Sequence, residues 1–121
     1  MPVVRSTDLD FARLPGRLSA DPVPAGRGAD YSVRVVRVPP GPRTPHLHPH
    51  SDEVTYVVSG SGNAWEGDTC TPVSPGDLLL VPQGAPHATV AQGDEELVLL
   101  CFFPRADLAG NLVELDGPLR S

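Results

Sequence analysis

Residues 53–59 read EVTYVVS and are followed by Gly60-Ser61-Gly62, and this stretch is the clearest strand in the sequence. β-branched and aromatic residues dominate it, as is typical of a pleated, half-buried strand. The glycines that follow permit a sharp turn. We therefore expect residues 61–65 to start the returning strand of a β-hairpin.

Further strands are predicted on both sides of this stretch. Residues 31–38, 78–81 and 97–103 are rich in Val and Leu, residues 87–91 form another short run, and all four are bounded by Pro or Gly. No segment before residue 105 repeats its apolar residues with the 3.6-residue period of a helix. Residues 97–103 are almost wholly apolar, so we expect both faces of that strand to be covered. The pattern predicts an all-β protein, either a sandwich or a jelly-roll β-barrel.

The 121 residues are enough for one domain with one core. Residues 1–30 are weakly patterned and carry turn signals at 14–17 and 22–26, so we expect an N-terminal arm or short edge strands. Residues 31–104 should form the barrel core. Residues 105–121 should pack on the barrel, with a short helix or a closing strand at 107–115.

Composition excludes several classes of protein. Nine Arg, no Lys and fifteen Asp and Glu give a net charge of −6, which argues against a nucleic-acid partner. No apolar run approaches the roughly 20 residues of a membrane span. Residues 1–10 contain no apolar stretch suited to a signal peptide. We therefore expect a cytoplasmic protein in which Cys70 and Cys101 are free thiols.

The four histidines are unevenly distributed, with three at His46, His48 and His50 and the fourth at His87. Side chains two apart on a strand share a face, so His46 and His48 can converge on one point. Glu53 can add a carboxylate oxygen, and His87 can approach from a later strand. Three imidazoles and one carboxylate would leave one or two positions open on a six-coordinate metal. The alternative is a set of surface histidines in a turn-rich region.

The residues around these histidines resemble the first motif of the cupin superfamily. That motif is a Gly, a short spacer, His-x-His, a Glu and, six residues further on, a Gly. It is matched here by Gly41, His46-Leu47-His48, Glu53 and Gly60, with a spacer of four residues in place of the usual five.

The second cupin motif is matched around His87. It reads Gly76, Pro82-Gln83-Gly84 and His87, all in register, with Ala91 where the family usually has Asn. The resemblance implies a small conical β-barrel of two antiparallel sheets with one divalent metal near its mouth. It also implies the ligand set His46, His48, Glu53 and His87. Fe(II) is the first choice of metal, and Zn, Ni, Mn and Cu stay open.

Three other residues are candidates for a catalytic role. Arg43 could clamp a substrate carboxylate or phenolate, or lie exposed at the rim. His50 is either a loop residue near the cavity mouth or a proton shuttle. Tyr56 lies three residues after Glu53, so on a regular strand its side chain points to the opposite face and packs away from the metal. A bulge in the strand would reverse this direction. Of Phe102 and Phe103, one should face inward and the other outward.

The resemblance implies a metal-dependent enzyme that acts on a small organic substrate. Our first choice is an oxidation of the oxygenase type. The alternatives are a redox-neutral cyclase or isomerase acting on a carbonyl-rich substrate in specialised metabolism, and a non-catalytic cupin that binds a small molecule. Small bacterial cupins commonly dimerise, so we also expect a homodimer in which residues 1–30 extend the partner's sheet.

Overall fold

A computed structural model describes residues 1–23, 27 and 30–121. The turn predicted at residues 22–26 therefore lies partly outside the described residues. Eleven strands form in the described part of the chain. In chain order they are β1 (Ala12–Leu14), β2 (Arg17–Ala20), β3 (Ser32–Val38), β4 (His46–Leu47), β5 (Glu53–Ser59), β6 (Gly62–Glu66), β7 (Thr69–Val73), β8 (Leu78–Val81), β9 (His87–Ala91), β10 (Leu97–Phe103) and β11 (Val113–Glu114).

The strands form two antiparallel sheets, as predicted. Among the described residues, the larger sheet has six strands in the order β1-β2-β3-β10-β5-β8, and the smaller has five in the order β11-β4-β9-β6-β7. The strands predicted at 53–59, 78–81, 87–91 and 97–103 are found with those bounds. Short runs of strand-forming residues bounded by Pro or Gly were therefore sufficient to locate them.

The connection between β5 and β6 corrects one prediction. These strands do not form a hairpin, because β5 pairs with β10 and β8 whereas β6 pairs with β9 and β7 in the other sheet. Gly60 turns the chain with φ of +76°, and a Cβ at this position would collide with the carbonyl oxygen of Glu96. This close backbone approach allows the chain to cross from one sheet to the other.

The core lies between the sheets and is built from alternate strand residues, among them Val38, Val57 and Leu97. The expectation that both faces of β10 are covered was wrong. Leu99, Cys101 and Phe103 are buried, but Leu100 and Phe102 on the opposite face are each 41% exposed. An apolar run is therefore not by itself a sign of two covered faces.

The two ends of the chain meet near the histidines. β2 pairs with β3, so the β1–β2 hairpin extends the chain's own larger sheet and leaves β1 at its edge. Residues 109–111 form a short 3-10 helix, and β11 pairs with β4. Arg17 on β2 donates to Glu114 on β11 at 2.8 Å, which joins the N-terminal hairpin to the C-terminal segment. None of the helices in the described residues has the length or apolar character to cross a membrane.

Candidate metal centre

The four residues predicted as metal ligands lie together inside the barrel. His46 on β4 is paired with His87 on β9, Glu53 is the first residue of β5, and His48 follows directly after β4. All four are buried, and each offers one ligand atom within 4.8 Å of the others. The tertiary structure therefore assembles three imidazoles and one carboxylate around a single point.

The hydrogen bonds of His48 and His87 decide which ring nitrogens face that point. His48 Nδ1 donates to the carbonyl of Asn111 at 2.8 Å, and His87 Nδ1 donates to the carbonyl of Ala85 at 2.9 Å. In a neutral imidazole the other nitrogen, Nε2, then carries a lone pair. Backbone carbonyls commonly hold metal-binding histidines in this tautomer.

Both Nε2 atoms point at the same carboxylate oxygen. Glu53 Oε1 lies 3.2 Å from His48 Nε2 and 3.0 Å from His87 Nε2. A carboxylate oxygen this close to two ring nitrogens needs a positive charge beside it, which is supplied either by protons on the imidazoles or by a metal ion. Such an arrangement of buried donors fits a single divalent metal site.

His46 is also prepared for metal binding. Its Nδ1 atom is buried and has no hydrogen-bond partner among the described residues. Burial lowers the pKa of His46 well below its ordinary value of 6.5, and the nearby groups His87, Arg17 and Arg43 lower it further. The imidazole is therefore neutral at physiological pH, which is the form that coordinates a metal.

Glu53 is held as a carboxylate. Burial on its own raises the pKa of this carboxyl, but the contacts with His48 and His87 and the hydroxyl of Thr55 outweigh burial and hold the pKa well below its usual range. Thr55 donates to Oε2 at 2.5 Å, while Oε1 faces the imidazoles. The hydroxyl thus leaves one carboxylate oxygen to face the cluster.

A cavity of about 50 Å³ adjoins the cluster and is lined by all four residues. Its other walls are mostly apolar, including Leu99 and Phe103, and Phe103 packs edge-on against His48 with ring centroids 4.7 Å apart. Three arginines also line it. Arg17 is paired with Glu114 at 2.8 Å and Arg34 with Asp21 at 3.3 Å, which leaves the third, Arg43, without a carboxylate partner in the described residues.

A wider groove of about 310 Å³ lies on the other side of His87, where the edge strands β7 and β8 of the two sheets face each other. Leu79, Val81, His87 and Thr89 line both the groove and the cavity, so the two spaces adjoin at His87. Glu66 and Trp65 also line the groove.

Of the three catalytic candidates, the structure brings only Arg43 to the cluster. Its side chain is 4% exposed and lines the cavity, so the alternative of an exposed rim residue was wrong.

His50 is exposed in the turn after β4 and contacts Asn111 only through its backbone N–H. Tyr56 is 43% exposed on the outer side of the larger sheet, because β5 keeps a regular register from Glu53 to Tyr56. The inward and outward placement of Phe103 and Phe102 is confirmed.

No pattern in the sequence pointed to Asn111, which supports the cluster. This side chain is fully buried; its Oδ1 accepts from the backbone N–H of His50, and its Nδ2 donates to Ser51. Because the backbone oxygen of Asn111 also accepts from His48, one residue of the C-terminal segment holds the whole turn that carries the histidine. Strand alternation, by contrast, could have identified Thr55, which shares the face of Glu53.

Known proteins resemble this chain in sequence and in fold. The family model of the cupin domain matches residues 34–103, and the chain belongs to the cupin family. Protein SchB of Streptomyces halstedii is 36% identical over 93 residues, a match that covers 72% of this chain and only 66% of SchB.

Two solved structures show the same fold. KdgF from Halomonas sp. superposes with a TM-score of 0.74 at 24% identity, over 90% of this chain and 98% of that protein. A predicted oxalate decarboxylase from Thermotoga maritima superposes with a TM-score of 0.75 at 21% identity, over 86% of this chain and 99% of that protein. At these identities the likeness defines the barrel and leaves the reaction open.

Proposed function

We propose that this protein is a mononuclear metal-dependent enzyme that oxidises a small anionic organic substrate with dioxygen. The observation that carries this proposal is the identity of the ionisable side chains that line the cavity beside the cluster. Apart from the four ligands, the only ionisable side chains of the described residues that line the cavity are three arginines and Cys101.

None of these groups is suited to act as a general base at neutral pH. Burial and the charge of Glu53 raise the pKa of Cys101 well above its ordinary value, so the thiol stays protonated. Arginine stays protonated as well. A redox-neutral cyclisation or isomerisation moves protons and needs a positioned acid or base. A cavity without one favours oxidation of a substrate that is already anionic.

The ligand set supports the same reaction class. Three imidazoles and one carboxylate leave coordination positions open, as a catalytic site requires. When bound, Fe(II) would supply the redox chemistry toward dioxygen, whereas Zn(II) would supply only Lewis acidity. The chain's own contribution is to fix Glu53 through Thr55, to exclude water with apolar walls, and to present the positive charge of Arg43.

One observation favours a second candidate, the redox-neutral cyclase or isomerase. Glu66 is the single carboxylate among the described residues that line the groove, and it is paired with His87 across β6 and β9. An exposed carboxylate at this position could act as a general base on a substrate that occupies the groove.

The test compares metals and atmospheres. Metal-free protein is loaded anaerobically with Fe(II) or Zn(II) and supplied with a panel of enolisable diketones, hydroxy acids and phenolic acids, and dioxygen uptake and products are followed. We expect uptake with Fe(II) only, and none in His46→Ala. Equal anaerobic turnover with Zn(II) that is lost in Glu66→Gln would establish the second candidate instead. Tight binding of one of these compounds, without turnover by the Fe(II) or the Zn(II) form, would indicate a non-catalytic binding protein.

We also propose that the protein is a homodimer. The outer face of the larger sheet, formed by Tyr56, Val58, Leu78, Leu80, Leu100 and Phe102, is at least 41% exposed at every one of these residues. The side chains on this face of β5, β8 and β10 are uncharged, so two copies can meet there without bringing like charges together, although the whole chain carries −6. A second copy is therefore the occupant that we propose for this face.

The predicted cytoplasmic location also stays a proposal. It is supported by Cys70 and Cys101, which are both free thiols. Free thiols are typical of proteins kept in reducing compartments.

A further inference from the structure

The side chain of Arg43 has unused hydrogen-bonding capacity inside the barrel. It is 4% exposed, and only one of its three guanidinium nitrogens has a partner: NH1 donates to the carbonyl oxygen of Thr89 at 3.1 Å. Nε and NH2 are buried without a hydrogen-bond partner among the described residues. A buried charged donor without a partner is costly, so its presence calls for an explanation.

The position of Arg43 is fixed from several directions. Its backbone N–H and C=O pair with those of Arg120, and NH1 is held by Thr89. The stem packs under the turn between β1 and β2, where Gly16 has φ of +69° and no side chain. A Cβ on Gly16 would lie 2.9 Å from the Cβ of Arg43 and 3.3 Å from Nε, so this glycine keeps the space beside the guanidinium open.

Among the described residues, no carboxylate is paired with Arg43 to neutralise its charge. Arg17 has Glu114 and Arg34 has Asp21, while Glu53 belongs to the metal cluster. Burial and the neighbouring Arg17 lower the pKa of Arg43 to about 10, which still leaves the guanidinium protonated at neutral pH. With one positive charge on Arg43, one negative charge on Glu53 and two positive charges on a divalent metal, the cavity would carry a net charge of +2.

We propose that Arg43 is the substrate-recognition residue of this site and that its Nε and NH2 bind a carboxylate group of the substrate. The edge formed by Nε and a terminal nitrogen presents two parallel N–H donors, and a carboxylate accepts them in a bidentate pair. Because Arg43 and the four ligands line one cavity, a substrate held by this pair lies beside the metal cluster. This inference rests on the proposed function, of which it names the substrate class: small carboxylic acids.

The test measures binding of acetate to the full chain, both metal-free and loaded with Zn(II). Titration calorimetry gives the affinity of the wild type, of Arg43→Gln and of Arg43→Lys. Arg37→Gln is the matched control, because Arg37 is a partly exposed arginine on β3 that pairs with Glu96. We expect Arg43→Gln to weaken acetate binding about ten- to a hundredfold in both forms. Arg43→Lys, which keeps the charge but not the two parallel donors, should fall between, and Arg37→Gln should match the wild type.

A second measurement does not depend on any variant. In 15N-resolved NMR spectra of the wild type, the Nε–H resonance of Arg43 should shift as acetate is added, while that of Arg37 should not. Equal affinity of the wild type and Arg43→Gln, or an Arg43 resonance that acetate leaves unchanged, would overturn the proposal.

The metal-free arm separates this proposal from the proposed function. Acetate binding that depends on Arg43 in a protein that shows no dioxygen uptake would leave the recognition role standing and overturn the oxidation. Dioxygen uptake in a protein whose acetate binding does not depend on Arg43 would support the oxidation and overturn the recognition role of Arg43.

Discussion

His46 and His87 lie directly opposite each other on the paired strands β4 and β9, and their imidazole centroids are 4.4 Å apart. This one cross-strand pair supplies half of the ligand set. β4 is only two residues long, and the pair is its single register contact with β9. A metal bound here would therefore tie β4 to β9 and, through Glu53, to the larger sheet.

Removing either member of this pair should remove most of the bound metal. Each imidazole supplies one of four ligands, and its loss leaves a site of lower coordination with an unpaired carboxylate. Metal-free His46→Ala and His87→Ala are reloaded with one equivalent of Zn(II) and desalted, and elemental analysis gives the zinc per chain. His50→Ala is the control and should retain one ion per chain. Full occupancy in both ligand variants would contradict the assignment.

Truncating Asn111 should destabilise the metal-free protein and weaken its metal affinity. Asn111→Ala leaves the backbone N–H of His50 and the hydroxyl of Ser51 without their partner, at a cost of about 1–3 kcal/mol in the free energy of unfolding. The variant keeps the backbone carbonyl that accepts from His48 but loses the side-chain hydrogen bonds that hold this carbonyl against the turn of residues 48–51, so zinc affinity should fall roughly ten- to a hundredfold.

Urea unfolding and competition with a zinc chelator measure these two effects. Asn63→Ala is the matched control, since the side chain of Asn63 donates to the backbone oxygen of Ser121, away from the cluster. Unchanged zinc affinity in Asn111→Ala would mean that the turn carrying His48 does not need this support.

Acidification should destabilise the metal-free protein, beginning near neutral pH. The pKa of His46 in the folded state lies well below 6.5, so below that pH the unfolded chain binds the proton that the folded chain does not. The free energy of unfolding therefore falls as the pH drops through 6.5. Glu53 acts in the same direction at lower pH, because its folded-state pKa lies well below 4.5.

Urea unfolding between about pH 8 and pH 4 measures this dependence. His46→Gln should flatten the upper part of the profile. A wild-type stability that rises as the pH falls through 6.5 would contradict this dependence.

A charge on the outer face of the larger sheet should dissociate the proposed dimer. Leu80 is 73% exposed at the edge strand β8, and Leu80→Asp would bring two carboxylates close together if identical faces meet. Light scattering should give twice the 12.8 kDa chain mass for the wild type and one chain mass for the variant. Leu119→Asp, on an exposed leucine outside this face, should stay dimeric. A dimer that persists in Leu80→Asp would favour assembly through the edge strand β1.

Much of the fold could be predicted from local sequence. Runs of strand-forming residues between Pro and Gly located β5, β8, β9 and β10, and the spacing of His46, His48, Glu53 and His87 picked out residues that the fold brings together. Alternation works because the pleat fixes which side chains share a face, whatever the rest of the chain does. The outward direction of Tyr56 follows from the same rule.

Other features depended on distant segments and could not be read from any one stretch. Whether β6 returns beside β5 or crosses to the other sheet is decided by the approach of Gly60 to the backbone of Glu96. Whether both faces of β10 are covered depends on which other segments pack against the strand, and the sequence of β10 does not indicate those segments. Burial is a property of the whole structure, whereas hydropathy belongs to each residue.

Local sequence patterns indicated the strands β3, β5, β8, β9 and β10, the four candidate metal ligands and the cupin resemblance, because each pattern depends on the residue types and spacings along the chain. Which other residues surround the four candidate ligands depends on the tertiary structure. It buried Arg43 beside the ligands, placed Asn111 of the C-terminal segment under His48, and kept His50 and Tyr56 away from the cavity. These outcomes need contacts between residues far apart in the chain, and such contacts form only when the two sheets and both ends of the chain close around one core.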